Sequence, residues 1–188
     1  MLSKVITGNP GVGKHTVAKQ LAKRLKLDLI DINKIAIQEG IFKESEKAFD
    51  VDVKKLKKIL ERIITKNSLV VGHLAPYVVS RKQVMITMVL RKDPYKLISV
   101  YEKRKYSHQK AIENLGSEIL GVTHYDSINE FGPDRTFQIN TTGKSVSTIV
   151  KKIEDLFVNG VFQEDEVDWL GVISEKNDLK RFFPINFK

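Results

Sequence analysis

The sequence predicts an α/β protein with three layers, in which helices cover both faces of a five-stranded parallel sheet. Short apolar runs alternate along the chain with longer segments whose apolar residues recur at helical spacing. Residues 84–90 form a continuous apolar run, which is typical of a central strand covered on both faces. A glycine-rich turn joins the first run to the first helical segment, and units of this kind build parallel sheets.

This turn, which we call the cradle, spans residues 8–16 and reads Gly-Asn-Pro-Gly-Val-Gly-Lys-His-Thr. Gly8, Gly11 and Gly13 can adopt backbone angles closed to other residues, so that successive N–H groups can point at one anion. The start of the helix adds unpaired donors, and Lys14 can reach the β- and γ-phosphates of a nucleotide. The pattern predicts an ATP site; the alternative is a glycine turn that binds nothing.

One cradle residue departs from the usual pattern. The lysine is normally followed by a Ser or Thr whose hydroxyl binds Mg²⁺, whereas this chain has His15. Mg²⁺ keeps much of its hydration shell, so water, phosphate oxygens and a carboxylate can hold it, and Thr16 could contact the α-phosphate. Imidazole is a poor ligand for a hard cation. We therefore expect His15 to face solvent or to orient a metal-bound water, and the protein ligands of the metal stay unassigned.

Composition limits the classes of protein that the chain can belong to. Its 188 residues, 41% hydrophobic and 29% charged, suit one globular domain with a small appendage. The absence of a long apolar stretch and of a leader predicts a cytoplasmic protein without membrane contact. The absence of cysteine excludes disulfides and thiolate metal sites. The net charge of +9 indicates a polyanionic partner, unless the lysines merely solvate helices.

The second and third predicted strands, residues 27–32 and 68–73, end in polar side chains. Asp31 and Asn33 lie at the carboxyl end of the second strand, at the edge where open α/β sheets bind ligands. They could contact a second substrate or water around Mg²⁺, or they could cap the next helix. His73 ends the third strand, where such proteins usually carry a carboxylate. It is either a site residue that orients a water or phosphate, or a surface histidine.

Two arginines bracket the helix that follows the central strand. Arg91 ends that strand, and Pro94 suits the first turn of a helix that runs to about Arg104. Fixed guanidinium groups stabilise the charge of a migrating phosphoryl group. The alternative for each arginine is a surface salt bridge. The predicted catalytic residues are therefore Lys14, His73, Arg91 and Arg104.

The last predicted strand, residues 136–140, precedes a loop and a helix over residues 146–157. A loop at this place can cover the nucleotide base, which makes Asn140 and Thr141 candidate contacts. We predict a main domain over residues 1–157 and a C-terminal extension over residues 158–188, which docks on the domain or on a partner. The predicted ATP-binding residues are Gly8, Pro10, Gly11, Val12, Gly13, Lys14, His15, Thr16, Arg104 and Asn140.

Four segments together resemble a known family. They are the cradle, the Leu90-Arg91-Lys92-Asp93 segment, the Arg104-Lys105-Tyr106 turn and residues 114–122. The family is the nuclear adenylate kinase isoenzyme six group, also called coilin-interacting nuclear ATPases, and the chain resembles an archaeal-type member. The resemblance implies a nucleoside monophosphate kinase fold with a short lid. It also implies that His73 matches the family's site histidine and that Arg104 belongs to the lid. Val71, where many members have an aspartate, and His15 depart from the pattern.

The resemblance implies an enzyme that converts ATP and AMP to two ADP and also hydrolyses ATP, with Mg²⁺ as cofactor. AMP or another nucleoside monophosphate would be the second substrate. A ribosomal protein of the small subunit, together with rRNA, would be the partner during ribosome maturation. The alternative function is an ATP-switched assembly factor with little kinase activity. A kinase for another small metabolite is a third interpretation, because the acceptor is chosen by loops.

Overall fold

The structure is a computed structural model that describes residues 2–44 and 49–184. Within these residues the chain forms seven strands and ten α-helices. In chain order they are β1 (Ser3–Thr7), α1 (Lys14–Leu25), β2 (Asp28–Asp31), α2 (Ile32–Gln38), β3 (Phe42–Glu44), β4 (Phe49–Val51), α3 (Val53–Ile63), β5 (Ser68–Val71), α4 (Ala75–Val78), β6 (Val84–Arg91), α5 (Pro94–Lys103), α6 (His108–Ile119), α7 (Val122–Phe131), β7 (Thr136–Asn140), α8 (Val146–Asn159), α9 (Trp169–Glu175) and α10 (Leu179–Phe182).

Five strands form one parallel sheet in the order β2-β5-β1-β6-β7. Ile6 of β1 lies opposite Val71 of β5 and Met88 of β6. Because every neighbouring pair is parallel, the carboxyl ends of all five strands meet at one edge of the sheet. This arrangement confirms the predicted fold class and brings the cradle, Asp31 and His73 to the same edge.

Helices cover both faces of the sheet. Because successive strand residues point to opposite faces, Ile6 and Val71 pack into one apolar core and Val5 and Val70 into the other. The first core is closed by α1, α5, α6, α8, α9 and α10, and the second by α2, α3, α4 and α7. The molecule therefore has the three predicted layers.

Six elements were not predicted from the sequence: β3, β4, α4, α7, α9 and α10. β3 and β4 pair antiparallel within the polar stretch 38–52, of which residues 45–48 lie outside the described residues. The longest of the unpredicted helices is α7, which begins after Gly121. Its inward face carries Thr123 and Ser127 as well as Phe131, so the apolar periodicity is weak there. In the described part of the chain, no helix combines the length and the apolar character needed to cross a membrane.

The C-terminal extension packs against the sheet domain. α8 ends at Asn159, and Gly160 takes a left-handed conformation with φ of 67° that terminates it. Ile173 of α9 and Phe182 of α10 are buried in the core that α1 and α8 share. Tyr95 contacts the ring of Phe182 edge to face, and its hydroxyl donates to Asp178 over 2.7 Å. Residues 185–188 of the predicted extension lie outside the described residues.

Candidate active site

The cradle has the backbone geometry that its glycines predict. Gly8, Gly11 and Gly13 have φ values of 133°, 93° and 95°, which residues with a Cβ atom rarely adopt. At Gly8 a Cβ atom would lie 2.3 Å from the carbonyl oxygen of Leu90, so the close approach to β6 also requires glycine. Gly13 is the N-cap residue of α1. The turn therefore leads directly into a helix N-terminus, where anions bind.

Lys14 is a buried cation with few partners. Its side chain is 4% exposed, and its Nζ atom donates to the carbonyl oxygen of Asn9 over 3.2 Å. None of the ion pairs formed by the described residues includes Lys14. Burial, and secondly the charge of Arg104, lower the pKa of Lys14 to about 8. A buried cation without a carboxylate partner suits an anionic phosphate.

His15 and Asp31 face each other beside the cradle. His15 Nε2 lies 3.4 Å from Asp31 Oδ2, and the histidine side chain is 37% exposed. Burial and the charge of Lys14 lower the pKa of His15, which favours its neutral imidazole. Asp31 Oδ1 accepts hydrogen bonds from the backbone N–H groups of Asn33 and Lys34. The capping interpretation of Asp31 therefore holds, while its second oxygen points to the site.

His73 lies two residues beyond the end of β5, and not in the strand as predicted, and it is half-buried near Lys14. Burial, and next the charge of Lys14, lower the pKa of His73 to about 4, so this imidazole is also neutral near pH 7. The charge of Lys110 acts in the same direction, as does protonation of His15. Lys110, on α6, is a neighbour of the site that sequence reasoning missed. A single lysine in the first turn of a helix gives no signal in a chain this rich in lysine.

Arg104 and Arg91 have different surroundings. Arg104 is exposed at the end of α5, close enough to Lys14 to affect its pKa. Only residues 104–107 separate α5 from α6, so any lid here is short. Arg91 is 4% exposed, and its Nε atom lies 2.9 Å from Oε1 of the fully buried Glu118. Its other nitrogens donate to the Glu118 carbonyl and to Gln138 Oε1.

Glu118 is the main residue of this edge that sequence reasoning missed. Besides Arg91, its carboxylate accepts hydrogen bonds from Asn9 Nδ2 over 2.8 Å and from the backbone N–H of Lys92 over 3.0 Å. The available signal was a lone acid between Leu115 and Ile119 on the inward face of a helix. The guanidinium of Arg91 is directed into the protein, and its role in phosphoryl transfer stays a prediction.

The loop after β7 lies beside the cradle. The hydroxyl of Thr141 contacts the carbonyl oxygens of Val12, over 3.3 Å, and of Arg91, over 2.9 Å. The backbone N–H of Asn140 donates to Asp165 Oδ2, and the Asn140 side chain accepts from the N–H of Thr142. The structure thus brings Asn140 to the site's rim with its backbone N–H and its side-chain oxygen already bonded, and its contact with a base stays a prediction.

The site can bind and stabilise negative charge. Lys14, Arg104 and Lys110 supply cations, and the cradle supplies backbone N–H groups. Among the described residues, no cluster of three or more His, Asp or Glu side chains could hold a metal ion by itself. The cations and the backbone N–H groups favour a ligand that carries several phosphates.

The chain is similar to one family model and to named archaeal proteins. A family model described as an AAA domain matches residues 5–121. Two archaeal relatives are both named "Putative adenylate kinase". The protein of Thermococcus gammatolerans is 32% identical over 90% of this chain and 94% of its own. That of Saccharolobus solfataricus is 30% identical over 88% of this chain and 86% of its own.

Solved structures with the same fold include two shikimate kinases. The enzyme from Bacteroides thetaiotaomicron has a TM-score of 0.60 and 16% identity, and covers 83% of this chain and 98% of its own. The enzyme from Acinetobacter baumannii, in complex with shikimate, has a TM-score of 0.59 and 19% identity, and covers 87% and 97%. At such identities these two matches concern the fold alone.

Proposed function

The chain belongs to the adenylate-kinase-like P-loop kinases, and from that premise we propose that it transfers a phosphoryl group from ATP to AMP. The observation that carries the proposal is Lys14, a buried cation whose only hydrogen bond among the described residues goes to a cradle carbonyl. Its low pKa records the cost of that burial, which a bound triphosphate would offset. The names of the archaeal relatives support AMP as the acceptor.

In the proposed reaction an oxygen of the AMP phosphate attacks the γ-phosphorus of ATP. The bond between that phosphorus and the bridging oxygen breaks, and two ADP molecules result. The attacking oxygen is already ionised, so no protein base is needed, and positioning and charge stabilisation suffice. Lys14 would bind the β- and γ-phosphates, and Arg104 would stabilise the migrating group. His73, neutral near pH 7, would orient a phosphate or a water.

Mg²⁺ fits the site as a companion of ATP. The ion accepts a mixed shell of waters, phosphate oxygens and one or two carboxylates. Asp31 supplies a carboxylate oxygen that points toward the cradle beside His15. Asp31 would hold a metal-bound water, and His15 would fix the orientation of that carboxylate. The ion would neutralise charge on the phosphates.

The decisive experiment measures ADP formed from ATP and Mg²⁺, with and without AMP. We expect AMP to raise the yield to two ADP per ATP consumed. Removing the lysine in Lys14→Ala should lower the rate about 10³-fold, in line with the loss of a preorganised transition-state contact. If AMP has no effect on ADP formation by the folded wild-type protein, the AMP kinase proposal is wrong.

A second candidate function is an ATP-hydrolysing factor of small ribosomal subunit maturation, as the nuclear adenylate kinase group would imply. The basic surface favours it: α3 exposes Lys54, Lys55, Lys58 and Arg62 on one side, and the whole chain carries a net charge of +9. Slow Lys14-dependent hydrolysis unaffected by AMP would favour this function. Binding to small-subunit rRNA or to its ribosomal protein, in the cytoplasm, is part of this proposal, and RNA affinity should fall steeply with salt.

A further inference from the structure

We propose that Trp169, in the C-terminal extension, is a positioning residue for the ATP site and acts on the cradle through Glu118 and Asn9. This inference rests on the proposed binding of ATP at the cradle. It assigns the extension a role in the kinase reaction itself, beyond packing against the domain. The path has two steps, both made of hydrogen bonds between buried or half-buried side chains.

The first step joins the extension to Glu118. The indole Nε1 of Trp169, the first residue of α9, donates to Glu118 Oε1 over 3.2 Å. Glu118 is 0% exposed, so no solvent replaces a donor that is lost. Indole nitrogen can only donate, and the carboxylate can only accept while ionised. Trp169 therefore completes the hydrogen-bonding shell of a buried charge.

The second step joins Glu118 to the cradle. Its other oxygen, Oε2, accepts from Asn9 Nδ2 over 2.8 Å. Asn9 is 5% exposed, and its Oδ1 accepts from the hydroxyls of Ser117 and Thr123 over 3.0 and 3.1 Å. Its backbone carbonyl is the group that holds Lys14 Nζ. Glu118 therefore fixes the side chain of Asn9, and the backbone carbonyl of Asn9 positions Lys14.

A second contact supports the same role for the extension. Asp165 Oδ2 accepts from the backbone N–H of Asn140 over 2.8 Å and from Lys144 Nζ over 2.6 Å. These bonds order the loop after β7, whose Thr141 contacts the cradle. The extension therefore reaches the ATP site from two sides. The test concerns Trp169, whose N–H makes the hydrogen bond to Glu118; Trp169→Phe removes that N–H together with part of the ring volume.

The test measures the dissociation constant of ATP by titration calorimetry for the full chain. A hydrogen bond to a buried charged group contributes about a factor of ten in an equilibrium constant. We expect Trp169→Phe to weaken ATP binding roughly threefold to tenfold, because loss of this hydrogen bond also loosens Glu118 and, through it, Asn9 of the cradle. The KM for AMP should stay within about twofold, because the path ends at the cradle and not at the acceptor side.

A double-mutant cycle separates this path from general loosening. If Trp169 acts through Asn9, Trp169→Phe combined with Asn9→Ala should weaken ATP binding no more than Asn9→Ala alone. The matched control is Tyr95→Phe, which removes the Tyr95–Asp178 hydrogen bond of the same extension, whereas Tyr95 makes no hydrogen bond to Glu118 among the described residues. Its ATP affinity should equal that of the wild type.

Three results would overturn the inference: unchanged ATP affinity in Trp169→Phe, multiplicative effects in the double variant, or an equal loss in Tyr95→Phe. Because Trp169 is the chain's single tryptophan, global replacement by benzothienylalanine, an isostere without the N–H, repeats the test if the Phe variant unfolds. If the wild-type protein binds no ATP, the proposed function fails together with this inference. If the wild-type protein binds ATP and the Trp169 variants bind it with the same affinity, this inference alone fails.

Discussion

Two buried cations at the same edge of the sheet have opposite surroundings. Lys14 and Arg91 are each 4% exposed. Arg91 donates to the carboxylate and carbonyl of Glu118 and to Gln138, so its charge is compensated by the protein. Lys14 donates to one backbone carbonyl, and its pKa falls to about 8.

The difference separates a structural charge from a functional one. A buried ion whose partners are all in the chain stabilises one arrangement of the chain. A buried ion left with one neutral acceptor costs free energy that the fold must offset, and such sites are retained where a ligand completes them. By this criterion we expect Lys14 to belong to the proposed ATP site and Arg91 to hold α6 against β6. The three predictions below test this distinction.

The largest effect on the free energy of unfolding is expected at Arg91, the cation that the protein compensates. Glu118→Ala leaves the Arg91 guanidinium buried without a carboxylate, so we expect the free energy of unfolding to fall by about 3–5 kcal/mol. Urea denaturation with wild type and variant side by side measures it. The control is the double variant Arg91→Met/Glu118→Leu, which removes both charges and should recover more than half of the loss. A loss below 1 kcal/mol in the single variant would mean that the pair is not a structural unit.

A smaller, pH-dependent effect is expected at Lys14. Its pKa is 10.5 in the unfolded reference and about 8 in the fold, so between these values the unfolded chain binds more protons. The free energy of unfolding of the nucleotide-free protein should therefore rise with pH in this window, by at most about 1.4 kcal/mol per pH unit from this group. Below pH 8 the contribution is constant.

The measurement is urea denaturation at pH 7, 8, 9 and 10. Lys14→Met should lack this rise, and saturating ATP should reduce it in the wild type, because phosphate charge holds the proton on Lys14. Comparison with the variant cancels the titration of tyrosines and other lysines. If the free energy of unfolding depends on pH equally in wild type and Lys14→Met, the assignment of Lys14 as an uncompensated cation is wrong.

The same contrast explains how much of the site the sequence could predict. The cradle is a continuous segment whose glycine spacing encodes a local geometry, so its backbone conformation could be predicted without the structure. Asp31 and His73 were predicted to lie near the cradle because parallel strands end at one edge, and their roles there stay predictions. The sheet and most helices followed from apolar periodicity, including β7, whose predicted bounds match those observed.

Glu118 and its partners could not be predicted in this way. Asn9, Arg91, Glu118 and Trp169 are far apart in the chain and meet only once the sheet, α6 and the extension have packed. Arg91 was predicted to lie at the ligand edge, and β6 does end there. Its side chain turns inward because a buried carboxylate on α6 lies within reach, and no local pattern around Arg91 reports that carboxylate.

The smallest effect on the free energy of unfolding is expected at a surface ion pair. This pair tests whether the distance between two charges alone determines their contribution to stability. Arg24 of α1 and Glu154 of α8 approach to 2.7 Å, closer than the 2.9 Å of Arg91 and Glu118, but their side chains are 49% and 23% exposed. Water already solvates both charges, so Glu154→Ala should change the free energy of unfolding by no more than about 0.5 kcal/mol. The same urea series measures it, with 0.5 M NaCl as a second condition. A loss as large as that of Glu118→Ala would show that contact distance, and not burial, determines the value of these pairs.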